Sequence, residues 1–71
     1  MLATKERTNV DEMRLEPVAA VAKALSVSRS KIYMLMDSGE LPFVKLGKSR
    51  RIRWDEVVKL VNRNTVGGAG D

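Results

Sequence analysis

Cationic and hydroxyl side chains that could bind an anion are concentrated in one part of the 71-residue chain, between Ser28 and Trp54. This stretch holds only two acidic residues, Asp37 and Glu40. Its seven basic residues are Arg29, Lys31, Lys45, Lys48, Arg50, Arg51 and Arg53. Acids and bases nearly cancel elsewhere, and the whole chain has a formal charge of +4. A localised basic patch of this kind is typical of proteins that bind a polyanion.

The composition excludes several other classes of chemistry. The chain has no Cys and no His, so it offers neither thiolate metal ligands nor an imidazole base for catalysis. A single small domain leaves little room for an enclosed active site, and the carboxylates are scattered along the sequence. We therefore expect a protein that is not an enzyme and that takes no cofactor, metal ion or small-molecule ligand.

Membrane insertion and secretion also find no support in the sequence. No stretch approaches the roughly 20 apolar residues that cross a bilayer. The N-terminal residues lack the hydrophobic segment of a secretory signal. We expect a cytoplasmic protein with no membrane partner.

Two short helices are predicted to hold the first part of the basic patch. Apolar residues from Val18 to Leu25 recur at the spacing of one helix face, and the same spacing returns at Ile32, Leu35 and Met36. Only three residues, Ser26 to Ser28, interrupt the pattern. Because so short a connection prevents the helices from lying side by side, they must cross steeply, as in a helix-turn-helix.

The second helix has clear end signals. Ser28 can cap its N-terminus, Val27 can pack on Ile32 as a hydrophobic staple, and Gly39 can end the helix in a left-handed conformation. The first turn offers solvent a run of polar side chains, and Tyr33 follows one turn later. Such a helix fits a groove of nucleic acid, although an ordinary amphipathic helix with a solvated face has the same pattern. The candidate DNA-binding residues of this helix are Ser28, Arg29, Ser30, Lys31 and Tyr33.

A β-hairpin is predicted to follow the second helix. Apolar residues from Val44 to Trp54 alternate with basic ones on either side of a turn at Gly47, which is the period-two pattern of strands with one buried face. The inner face would then hold Val44, Leu46, Ile52 and Trp54. The outer face and tip would hold Lys45, Lys48, Ser49, Arg50, Arg51 and Arg53. Any single cation could serve only to stop strand edges from pairing, but five basic residues on one hairpin exceed that need.

A third helix and two flanking segments complete the expected organisation. Trp54 to Asn62 predicts a helix whose apolar stripe is formed by Trp54, Val57, Val58 and Val61, joined by Leu60. Residues 1–14 are polar and balanced in charge, which indicates a flexible arm. Residues 15–63 carry all the sustained periodicity and form the expected domain, and the glycine-rich residues 64–71 predict a disordered tail.

Helix, tight turn, helix, basic hairpin and helix make a mainly α fold with a small β wing, the winged helix-turn-helix. Residues 26–52, SVSRSKIYMLMDSGELPFVKLGKSRRI, strongly resemble the excisionase family of small DNA-binding proteins, which is related to the mercury-regulator group. The resemblance is specific at the VSRS, SGELP and GKSRRI segments and at Tyr33. Ser26 departs from it, since this turn position is often Gly, so we expect either a strained backbone there or a slightly different turn.

The resemblance implies that the second helix enters the major groove of DNA and that the wing meets the minor groove or the backbone. Arg29, Ser30 and Lys31 would then approach base edges. Tyr33 would hydrogen-bond a phosphate or pack on the wing. Lys48 and Arg50 at the wing tip could enter a narrow minor groove. Phosphate contacts are expected of Lys45, Arg51 and Arg53.

The function implied by the resemblance is that of an excisionase, a recombination directionality factor that binds and bends double-stranded DNA at an attachment site. Its partners would be an integrase and adjacent copies of itself. Two other hypotheses remain open. One is a small transcriptional regulator with the same fold, and the other is a protein-interaction module in which Met34, Met36 and Phe43 bind a partner.

Overall fold

The computed structural model describes residues 14–67, which form a three-stranded sheet and three helices. The elements are β1 (Leu15–Pro17), α1 (Val18–Leu25), α2 (Arg29–Asp37), β2 (Val44–Leu46), β3 (Ser49–Arg53) and α3 (Trp54–Arg63). This order confirms the predicted winged helix-turn-helix. Residues 1–13 of the expected arm and residues 68–71 of the expected tail lie outside the described part of the chain.

The sheet contains a strand that the sequence pattern did not predict. All its strands are antiparallel in the order β1-β3-β2, so β3 is central and Leu15 pairs with Arg53. Pro17 ends β1 and precedes α1 with extended backbone angles, φ −74° and ψ 161°. Proline is tolerated there because β1 is an edge strand.

Arg14, the last residue of the expected arm, is fixed on the domain. Its carbonyl oxygen accepts a hydrogen bond of 2.9 Å from the backbone N–H of Trp54. Its guanidinium lies over the Trp54 ring, 4.3 Å from the ring centre. The first described residue is therefore attached to the start of α3.

The turn between α1 and α2 has a strained backbone at Ser26, the first of the two outcomes expected there. Ser26 adopts left-handed angles, φ 58° and ψ 41°, which cost a residue with a side chain roughly 1 to 2 kcal/mol. The conformation lets the backbone N–H of Val27 bond to the carbonyl of Ala22 at 3.0 Å. Ser28 then caps α2 as predicted, because its Oγ accepts a hydrogen bond of 3.1 Å from the Lys31 N–H.

The far end of α2 is also closed as predicted. α2 ends at Asp37, and Gly39 has φ 86°. Leu41 then folds under the helices and is fully buried, with its N–H bonded to the carbonyl of Leu35 at 3.0 Å. Arg63 from the end of α3 donates a hydrogen bond of 2.7 Å to the Glu40 carbonyl and so holds this loop against α3.

One apolar core joins the helices to the sheet. Its buried members are Val18, Val21, Ala22, Ile32, Met36, Leu41, Ile52, Val57 and Leu60. Ile52 is the buried residue that β3 contributes to it, whereas α2 contributes Ile32 and Met36. The wing and α2 are therefore built on the same core.

The predicted apolar stripe of α3 is wrong in part. Val57 and Leu60 are buried, but Val58 and Val61 are each more than two-fifths exposed. Trp54, Val57 and Leu60 follow one another at intervals of three residues, which lie on one side of a helix. The core contacts that side, so the neighbouring valines lie beside it in solvent.

Candidate nucleic-acid interface

α2 presents its inward and outward faces clearly. Ile32 and Met36 are buried, so at 3.6 residues per turn the opposite face is centred near Ser30 and Met34. Met34 is 63% exposed and Tyr33 is 43% exposed. Capped at Ser28 and free on this face, α2 offers a hydroxyl, a thioether and a phenol to a binding partner.

The cations of the first turn of α2 point in different directions. Arg29 lies on the same stripe as Tyr33 and Asp37, since residues four apart are neighbours on a helix surface. Lys31 lies on another side and lines a groove of about 440 Å³ between α2 and the end of α3, together with Leu35 and Val61. The structure therefore brings Arg29 close to Tyr33 but separates Lys31 from both.

The wing is a tight hairpin with a cationic tip. Leu46 pairs with Ser49, so only Gly47 and Lys48 form the turn. Gly47 has φ 64°, a conformation that other residues rarely adopt. Lys48 and Ser49 are exposed, as predicted for a wing tip.

The register of the hairpin corrects the predicted inner face. Lys45 pairs with Arg50 and Val44 with Arg51, and paired residues share a face of an antiparallel sheet. Residues two apart on a strand also share a face, so Arg50 lies on the side of the buried Ile52. Leu46 is 53% exposed and lies on the opposite side, because the two-residue loop fixes this pairing. The basic residues are thus divided between both faces of the wing.

Arg50 does not project from the wing tip. Its guanidinium carbon lies 4.7 Å from the centre of the Phe43 ring and 5.3 Å from that of Tyr33. Its Nη1 lies 3.6 Å from Oδ1 of Asp37. The side chain therefore crosses from β3 to α2 and contacts the stripe that begins at Arg29.

Ion pairs reduce the number of free cations. Arg53 contacts both carboxylate oxygens of Asp55 at 3.3 Å, and Arg50 contacts Asp37. Arg51 donates a hydrogen bond of 2.9 Å to the carbonyl of Arg50 and has no ion pair within residues 14–67. The other predicted site cations without an ion pair in the described residues are Arg29, Lys31, Lys45 and Lys48.

This arrangement has a counterpart in a known protein family. A family model described as a helix-turn-helix domain matches residues 18–65, more than half of the chain. The chain belongs to this helix-turn-helix domain family. The match runs from the start of α1 past the end of α3 and so includes α2 and the wing. Searches of curated proteins and of solved structures found no match.

Membership of the helix-turn-helix family supports binding of double-stranded DNA. α2 is the second helix of the motif, the element that such domains place in the major groove, and we call it the recognition helix. Within residues 14–67, none of the three helices has the length and apolar composition that crossing a bilayer requires. Residues 14–67 also hold no group of three acidic residues placed to bind a metal ion.

Two neighbours of the predicted site residues were missed by sequence reasoning. Asp37 and Phe43 both contact Arg50, although neither was a candidate site residue. The alternation along β3 carried a signal, because Arg50 and Ile52 are two residues apart and must share a face. The positions of Phe43 and Asp37 opposite that face depend on the loop after α2, which has no periodic pattern.

Proposed function

We propose that this helix-turn-helix protein binds specific sites on double-stranded DNA and acts as an excisionase. It would bind and bend attachment-site DNA so that an integrase carries out excision. The observation that carries the proposal is the contact between wing and recognition helix through Arg50. This contact makes the two elements one unit that can meet neighbouring grooves.

Each part of this unit has a distinct role in the proposed complex. Ser30 lies on the outward face of the recognition helix, with Lys31 and Tyr33 on its two flanks, where side chains reach base edges or flanking phosphates. Arg29, one turn before Tyr33 on the same stripe, would meet a base edge or a phosphate from the side of the helix. Lys48 at the wing tip meets the minor groove or its phosphates. Lys45 and Arg51 supply phosphate contacts from the two faces of the hairpin, which fix register without selecting sequence.

The resemblance of residues 26–52 to excisionases supports the more specific part of the proposal. The segments VSRS and SGELP correspond in the structure to the capped start of α2 and to its end and following loop. The segment GKSRRI corresponds to the wing turn and the central strand. The resemblance thus covers the elements that would contact DNA.

In the alternative of a protein-interaction module, two of the three residues expected to bind a partner already pack against other residues of the protein. Met36 is buried in the core, and Phe43 is packed against the core with Arg50 over its ring. Of the three, Met34 alone is free to meet a partner, and it lies on the outward face of the recognition helix. DNA binding uses this same face.

Footprinting on DNA that flanks the encoding gene tests the proposal directly. We expect protection of adjacent sites next to an integrase attachment site, bending of that DNA in a gel-shift assay, and faster excision when the protein is added to the integrase. Protection confined to a promoter, with altered transcription and unchanged excision, would instead identify a small transcriptional regulator.

A further inference from the structure

Arg50 occupies a site made by three side chains from two parts of the protein. Phe43 comes from the segment before β2, and Tyr33 and Asp37 come from the recognition helix. The Arg50 side chain is 32% exposed, and its Nη1 is buried without a hydrogen-bond partner within residues 14–67. The guanidinium is therefore held by ring faces and by a nearby charge rather than by hydrogen bonds from that nitrogen.

Only a guanidinium suits this site. A planar group can lie against aromatic rings and face a carboxylate at the same time, whereas the ammonium of lysine is a compact and strongly hydrated charge. Two rings and a carboxylate together hold the side chain in one orientation.

The cross-strand neighbour of Arg50 offers a contrast. Lys45 pairs with Arg50 and shares its face of the hairpin, but Lys45 is exposed and has no ion pair in the described part of the chain. Lys45 can reach a phosphate without breaking an ion pair. Arg50 would have to leave Asp37 and both rings, so the two neighbouring cations have different roles.

We propose that Arg50 is a positioning residue that fixes the wing against the recognition helix, rather than a ligand of DNA. The inference depends on the proposed binding of specific DNA sites, because the distance between recognition helix and wing tip must match that between two grooves. Asp37 then holds Arg50 in place by its charge. This carboxylate on the DNA-facing helix therefore favours specific binding, although it repels phosphates.

Salt dependence separates positioning from direct contact. The matched variants are Arg50→Gln and Lys48→Gln, each of which removes one basic charge from the wing. A lost phosphate contact lowers the slope of log K against log salt by about 0.9. On a random duplex we expect this loss for Lys48→Gln and an unchanged slope for Arg50→Gln. A loss of about 0.9 for Arg50→Gln would overturn the inference, since it would show that Arg50 contacts phosphate.

Specificity supplies the second measurement. Arg50→Lys keeps the charge but not the planar group, and we expect it to reduce the ratio of specific to random binding by about tenfold, or 1.4 kcal/mol. Asp37→Asn should reduce the same ratio, although it removes a negative charge that repels DNA. Higher affinity of Asp37→Asn for both duplexes with an unchanged ratio would show that Asp37 merely competes with DNA for Arg50.

Thermal unfolding by circular dichroism shows whether each variant remains folded. Asp37 is 71% exposed, so Asp37→Asn is expected to remain folded even if the Arg50 variants do not. The specific duplex is the site that the wild-type protein selects from a random pool. If the wild type selects no site, the proposed function fails, whereas the salt slopes still test Arg50. If it selects a site and the Arg50 and Asp37 variants bind like the wild type, only the present inference fails.

Discussion

The steepness with which salt weakens DNA binding follows from the number of free cations on the site. Five predicted site cations have no ion pair among residues 14–67, and one of them, Lys31, faces the groove beside α3. We therefore expect four or five phosphates to be neutralised when the protein binds DNA. Each contributes about 0.9 to the slope for duplex DNA, which gives a slope of about −4.

This slope has a large effect over an accessible range of salt. An increase from about 50 to 200 mM should lower the affinity about 250-fold. The assay is fluorescence anisotropy of a labelled random duplex, titrated with protein at five or six salt concentrations. Lys5→Gln and Arg7→Gln serve as controls, because these two cations lie outside the described residues and would add to the slope if they met phosphates.

Two results would refute the reasoning behind this value. A slope shallower than about −2 would mean that most of the free cations do not face the DNA backbone. A slope steeper than about −6 in the variant lacking Lys5 and Arg7 would mean that Arg50 and Arg53 leave their carboxylates on binding. Either result would mean that the ion pairs seen in the structure do not predict which cations contact phosphates in the DNA complex.

Three substitutions test the fold, each by chemical denaturation followed by circular dichroism. Ile32→Ala empties a fully buried position and should cost about 2 to 5 kcal/mol, enough to unfold a domain of this size; a stable variant would contradict the assigned core. Ser28→Ala removes the cap of α2 and should cost about 1 kcal/mol, and no loss would show that the cap is unimportant. Ser26→Gly should stabilise the protein by up to about 1 kcal/mol, since glycine tolerates the left-handed turn; destabilisation would mean that the serine side chain has a role of its own.

The recognition helix could be predicted well because its signals are local. Ser28 caps it, Ile32 and Met36 define its buried side, and Gly39 follows its end. Each signal acts within one or two turns of the chain, so sequence spacing alone was sufficient. Strand β1, Leu15–Pro17, was missed because three residues are too few to show alternation.

The candidate site was harder to predict because it depends on pairing between strands. Apolar residues at Val44 and Leu46 indicated an inner face, but the two-residue turn at Gly47 places them opposite Ser49 and Arg51. A shift of one residue in register exchanges the two faces of a strand. The roles of individual wing cations therefore required the fold, whereas their total charge was evident from composition.

The contact between Arg14 and Trp54 gives the protein an intrinsic optical probe. Trp54 is the single tryptophan of the chain, and its indole lies beneath a guanidinium where β1 meets α3. Separation of β1 from the domain would expose the indole to water and change its emission. Fluorescence of the unlabelled protein can thus report whether β1 separates from α3 while DNA is bound to the recognition helix.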